Sequence, residues 1–247
     1  MKNFLISLMV ISAMGMAFSQ ELSEDSRAGA DSRIALPTVG EFFVALDALA
    51  LPTWNSFVKE SSPQADTGRI GLAFLLGKEI TGAFVAVQAQ DAQAAKNNYK
   101  EIQNLAKTLN VSQNILGRAN SLSDFVTTNQ WIFARQEIEI TQNEIRTSLL
   151  EQMDSALVVM MDIGIWVRVT HLAGQIISAS YTPEGAKFFY QEGIVRRFIS
   201  SIESLPEATR QLPEIEKLYE KITGLISIVT TPVPESQQIT TDRKSVV

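Results

Sequence analysis

Apolar residues recur at intervals of three and four along most of the chain, and no stretch shows sustained alternation bounded by hairpin turns. The pattern therefore predicts helices and no sheet. Two segments break the amphipathic rule by being apolar on nearly every side: 70–87 (IGLAFLLGKEITGAFVAV) and 156–177 (ALVVMMDIGIWVRVTHLAGQII). A helix without a polar face belongs at the centre of a bundle. Gly71, Ala73, Gly77, Gly82 and Ala83 in the first, and Gly164, Ala173 and Gly174 in the second, allow close backbone approach, so the two helices are expected to pack on each other.

The remaining elements are placed by their start and stop signals. Thr38 precedes a helix over 39–49, Pro52 breaks it ahead of 53–59, and Asp66 offers a carboxylate cap for the first apolar helix. Beyond Gln88 the pattern turns amphipathic, either continuing the same helix or re-capped at Asp91. Asn110 and Ser112 mark a turn, followed by short helical material over 113–119. A long helix then runs from Ser121 or Ser123 through Leu149. Asp154 or Ser155 begins the second apolar segment. Thr182-Pro183-Glu184 starts a helix running to about Ser204, and Pro206 and Pro213 set the start of the last one. The expectation is an all-α, single-domain bundle of six or seven helices over 36–229, with two apolar helices at its centre.

The ends read differently. Lys2 followed by a short apolar run, Phe4 to Phe18, with Ala17 and Ser19 before Gln20, has the form of a secretory signal over 1–19. Residues 20–35 are polar and of mixed charge, and read as a disordered leader. Residues 230–247 carry two prolines and a polar run, and read as a flexible tail. The mature protein is then expected in the periplasm or outside the cell.

Composition narrows the chemistry. A formal charge of −6 argues against capture of nucleic acid. The absence of cysteine removes disulfides, thiolate metal sites and thiol nucleophiles, and one histidine cannot supply a diiron bundle site or most zinc sites. No phosphate loop, dinucleotide fingerprint, EF-hand loop or nucleophile elbow occurs. Neither a metal nor a cofactor is expected. Both apolar segments approach the ~20 residues that cross a bilayer, but Lys78 and Glu79 in one and Asp162, Arg168 and His171 in the other make a stable span costly.

Those five residues are the candidate ligand-binding set. If the two apolar helices are buried, their charges need partners, and the economical solution pairs Lys78 or Glu79 with Asp162 or Arg168 across the helices. Asp162 and Arg168 lie six residues apart, about 240° around the helix, and cannot satisfy each other. The cluster is either a polar pocket or a set of structural ion pairs, with His171 as its one acid–base group. Glu137, Glu144 and Glu151, at seven-residue spacing with Arg135 and Arg146, are expected to form a solvated stripe, and Arg196-Arg197 is a lone basic pair.

Leu76-Gly77-Lys78-Glu79, Leu105-Ala106-Lys107-Thr108-Leu109 and Ile163-Gly164-Ile165-Trp166 with the apolar run 169–177 resemble a loose pattern in exported, all-helical bacterial proteins of unassigned activity, over about half the chain. The resemblance implies a helical fold and bacterial export, and no chemistry. The function expected is that of an exported, non-enzymatic helical bundle that binds an envelope protein or small ligand. The alternative is an enzyme or cofactor-binding protein using the polar cluster between the central helices.

Overall fold

The computed structural model describes residues 36–49, 53–58, 68–111 and 119–230. The signal over 1–19, the leader over 20–35, nearly all of the tail, and Asp66 lie outside them. Every regular element among the described residues is helical, and the architecture is an all-α bundle with two apolar helices at its centre. The longer helices are α1 (Val39–Leu49), α2 (Arg69–Gln88), α3 (Ala92–Thr108), α4 (Ala119–Thr127), α5 (Trp131–Glu151), α6 (Ser155–Ala179), α7 (Glu192–Glu203) and α8 (Pro213–Val229). Short turns at Trp54–Phe57, Pro183–Phe189 and Glu207–Arg210 join some of them.

Several starts follow the expected caps. Thr38 and Glu41 form a reciprocal capping box: the Thr38 hydroxyl accepts from the Glu41 amide at 3.2 Å, and the Glu41 carboxylate accepts from the Thr38 amide at 2.7 Å. Asp91 caps α3 by accepting from the Ala94 amide at 2.9 Å, so α2 and α3 are separate helices. Thr182 accepts from the Gly185 amide ahead of Pro183, but that helix lasts one turn. The chain tightens through Lys187–Phe189 and restarts at Glu192, which divides the helix expected over 182–204. Likewise α2 begins at Arg69 behind Gly68, and the long helix expected through Leu149 is broken into α4 and α5.

The stops have a shared cause. Gln90, Asn110, Asn129 and Met153, each just past the end of a helix, have φ of 56°, 64°, 56° and 56°. In each case the next amide reaches back to close the last turn: Asp91 to the Ala86 carbonyl, Val111 to Ala106, Gln130 to Phe125 and Asp154 to Leu149. A left-handed residue usually asks for glycine, since a Cβ there crowds the following carbonyl. Met153, at 94% exposure, gains nothing from packing to offset that cost. Met153→Gly should therefore raise unfolding free energy by ~1 kcal/mol, read as a higher urea midpoint at unchanged slope. A lower midpoint would show that the Met side chain contributes to the turn.

Among the described residues α2 and α6 make the largest interface, and α3, α5 and α1 pack around α2. Arg69 at the start of α2 pairs with Asp154 at the start of α6 at 3.0 Å, Gly77 lies between Met161 and Ile165, and Glu79 further along α2 acts on Arg168 further along α6. The two central helices therefore run parallel. Their contact is backbone on backbone: a Cβ on Gly77 would stand 2.0 Å from the Met161 carbonyl oxygen, and one on Gly164 would stand 2.2 Å from that of Phe74. Both helices are long and apolar enough to cross a membrane, and 56% and 72% of their apolar stretches are covered by the rest of the bundle. Around this pair, Phe43 packs with Trp54 and Phe84 at 5.2 Å. Asp47 ties the layer together by accepting from Trp54 Nε1 at 3.1 Å and Gln88 Nε2 at 2.8 Å. α8 packs chiefly on α7 and buries only Ile215 and Ile222.

Candidate functional site

The site is built where α5, α6 and α7 meet the start of α1. Along α6, Ser155, Val158, Val159, Asp162 and Trp166 fall at spacings of three and four and form one stripe, turned away from the Met161–Gly164 stripe that meets α2. α5 supplies Gln142, Asn143, Arg146 and Leu150, again one helical face, and α7 supplies Arg197, Phe198 and Ser201. Leu36 to Thr38 and Phe42 close one side. Together they enclose a half-open cleft of about 460 Å³, within the ~300–1,000 Å³ typical of small-molecule pockets.

One charge sits deep in it. Asp162 is 8% exposed, and Arg146 Nη1 donates to both its carboxylate oxygens, at 2.6 and 2.5 Å. Burial pushes the Asp162 carboxyl above its ordinary range, opposed by the charge and hydrogen bonds of Arg146 and then by the charge of Arg197. Arg197 makes no hydrogen bond to another described residue. The aromatic part of the lining is held in place. Trp166 Nε1 donates to Gln191 Oε1, Gln191 Nε2 donates to the Phe188 carbonyl at 2.8 Å, and Trp166 packs on Phe198 with ring centroids 5.5 Å apart.

Of the five residues singled out in the sequence, the structure brings only Asp162 to this cleft. Across the central helices one couple of the expected set acts electrostatically: the charge of Glu79 on α2 opposes the downward shift that burial imposes on the guanidinium of Arg168 on α6. Asp162 turns instead to α5. Lys78 is half-buried on α2, and His171 is on an exposed position of α6. The glutamate stripe is also corrected, because Glu137 is 5% exposed, Glu144 half-buried and only Glu151 open to water. Among the described residues, no three His, Asp or Glu side chains are grouped to hold a metal ion.

Arg146 and Arg197 are what sequence reading missed. A signal for Arg146 existed: α5 and α6 form an antiparallel hairpin about the turn at Gln152–Asp154, and positions roughly equidistant from such a turn face each other. Arg146 and Asp162 are such a pair. Arg197 has no comparable signal, since the broken connection between α6 and α7 sets its position. Comparison of the chain with protein-family models, with curated proteins and with solved structures finds no match.

Proposed function

We propose that the chain is an exported, non-enzymatic helical-bundle protein that binds a small ligand in the cleft of Asp162, in the periplasm or outside the cell. The observation carrying this reading is the cleft itself: a half-open space lined by the aromatic side chains of Trp166 and Phe198, with Trp166 held by Gln191, and by the charged groups of Arg146, Asp162 and Arg197. Its chemistry favours binding over catalysis. Among the described residues, the titratable groups lining it are Asp162, already held by Arg146, and two arginines, which stay protonated and offer no general base. Export rests on the signal-like pattern over 1–19. An enzyme or cofactor site built on Lys78, Glu79, Asp162, Arg168 and His171 has less to draw on, because only Asp162 lines the cleft.

A neutral apolar fluorophore, N-phenyl-1-naphthylamine, should brighten on titration into the mature protein. Ser201→Trp, which fills the cleft from α7, should abolish the signal while leaving the circular dichroism melt in place. Equal brightening by the variant would place the apolar site elsewhere. No brightening by the wild type would remove the reading.

A further inference from the structure

The cleft carries an unbalanced charge. Of the described residues that line it, Arg146, Asp162 and Arg197 alone are charged. Arg146 and Asp162 neutralise each other through two hydrogen bonds, which leaves the positive charge of Arg197 over the same space. A guanidinium whose donors no other described residue takes up, beside a partly enclosed, low-dielectric wall, selects an anion, and its planar fork suits a carboxylate. The rest of the lining sets the body of the ligand. Phe42, Val159, Ile165, Trp166 and Phe198 offer an apolar surface that the Trp166–Gln191 hydrogen bond holds rigid. A dication would be repelled by the net charge. A dianion would overshoot neutrality and strand a charge beside apolar side chains.

We propose that the cleft takes an apolar-bodied monocarboxylate, its hydrocarbon part along Phe42, Val159 and Trp166 and its carboxylate on Arg197. This assignment rests on the ligand-binding reading of the cleft and adds the chemical class. Asp162 then acts as a positioning residue: by holding Arg146 against α6 it leaves Arg197 as the docking group.

Competition against bound N-phenyl-1-naphthylamine separates the two claims. Dodecanoate, dodecan-1-ol and dodecyltrimethylammonium, each kept below its micelle-forming concentration, share one chain length and differ in head group. Dodecanoate should displace the probe at a concentration on the order of tenfold below that of the alcohol, with the cation weakest. Arg197→Gln should erase the difference between carboxylate and alcohol while still binding the neutral probe. Equal displacement by carboxylate and alcohol from the wild type, with the probe bound, would overturn the carboxylate assignment and leave the cleft as a ligand site. A preference for the cation would do the same. A carboxylate preference that survives Arg197→Gln would overturn the role given to Arg197. Failure of the probe to bind the wild type would remove the cleft reading and this inference with it.

Discussion

Replacing Gly77 or Gly164 by alanine should each cost about 3 kcal/mol, the upper part of the overpacking range, lowering the melting temperature by roughly 6–12 °C for a chain of this size. At both positions the added Cβ meets main chain: 2.0 Å from the Met161 carbonyl oxygen and 2.8 Å from the Ile165 amide nitrogen at Gly77, and 2.2 Å from the Phe74 carbonyl oxygen at Gly164. A flexible side chain could swing aside, but a helix backbone hydrogen-bonded along its length moves only as a rod. Relief therefore requires α2 and α6 to separate, and separation opens gaps between Leu76, Ile80, Met161 and Ile163, which are all buried. Gly224 is the control, since it lies inside α8 with nothing within 4 Å of its Cβ position. Gly224→Ala should stabilise by about 0.5–1 kcal/mol through helix propensity alone. Alanine at Gly77 behaving like alanine at Gly224 in thermal melts would mean the central helices do not meet backbone to backbone.

The second large effect concerns the ion pair in the cleft, and it is expected to be lopsided. The Arg146 side chain is 38% exposed, whereas that of Asp162 is 9%. Arg146→Met strands a buried carboxylate and should cost about 3 kcal/mol at neutral pH. Asp162→Asn leaves a guanidinium that can turn to water, and should cost less than about 1 kcal/mol. Removing both, as Arg146→Met with Asp162→Leu, should recover most of the loss. The pH dependence has a defined sign. The folded protein holds a proton on Asp162 more tightly than the unfolded chain does, because burial raises the carboxyl above its ordinary value of 3.8. The group's contribution to stability is therefore complete below that value and is lost as pH rises through the raised folded pKa. Without Arg146 the upward shift grows, so the deficit of Arg146→Met relative to wild type should shrink as the buffer is taken from neutral toward pH 4. Urea denaturation of the pair at both ends of that range reads it directly. A deficit that stays constant or widens in acid would show that Asp162 is not the group left stranded.

How much of this was legible in the sequence depends on which force set each feature. The central pair was legible, because two segments of about twenty residues without a polar face can satisfy burial only at the middle of a bundle, and their glycines identified the contact. Thr38, Asp91, Thr182 and Pro213 announced their helices because capping is local chemistry between residues three apart. The break between α4 and α5 was hidden because Asn129 adopts a conformation that sequence reading normally assigns to glycine, and Met153 does the same after α5. The site was legible only as far as Asp162, a charge in an apolar helix that had to find a partner. Arg146 and Arg197 sit among polar neighbours, where a charge looks like ordinary surface, and only tertiary packing turns them inward.

The parallel arrangement of the central pair also governs the order in which the bundle can form. Arg69 and Asp154, which join the beginnings of α2 and α6, are separated by 85 positions. The α2–α3 and α5–α6 hairpins close over short turns and can appear early, but the contact around Gly77 and Gly164 must wait for a long loop to close before it repays that entropy. Until α6 arrives, the glycine-lined face of α2 that meets it has no native partner, and intermediates in this interval are the species most exposed to self-association. On the proposed export route the same delay keeps the chain open while it is threaded across a membrane. The rate of assembly is therefore set by how quickly two distant segments find each other, more than by how readily either one coils.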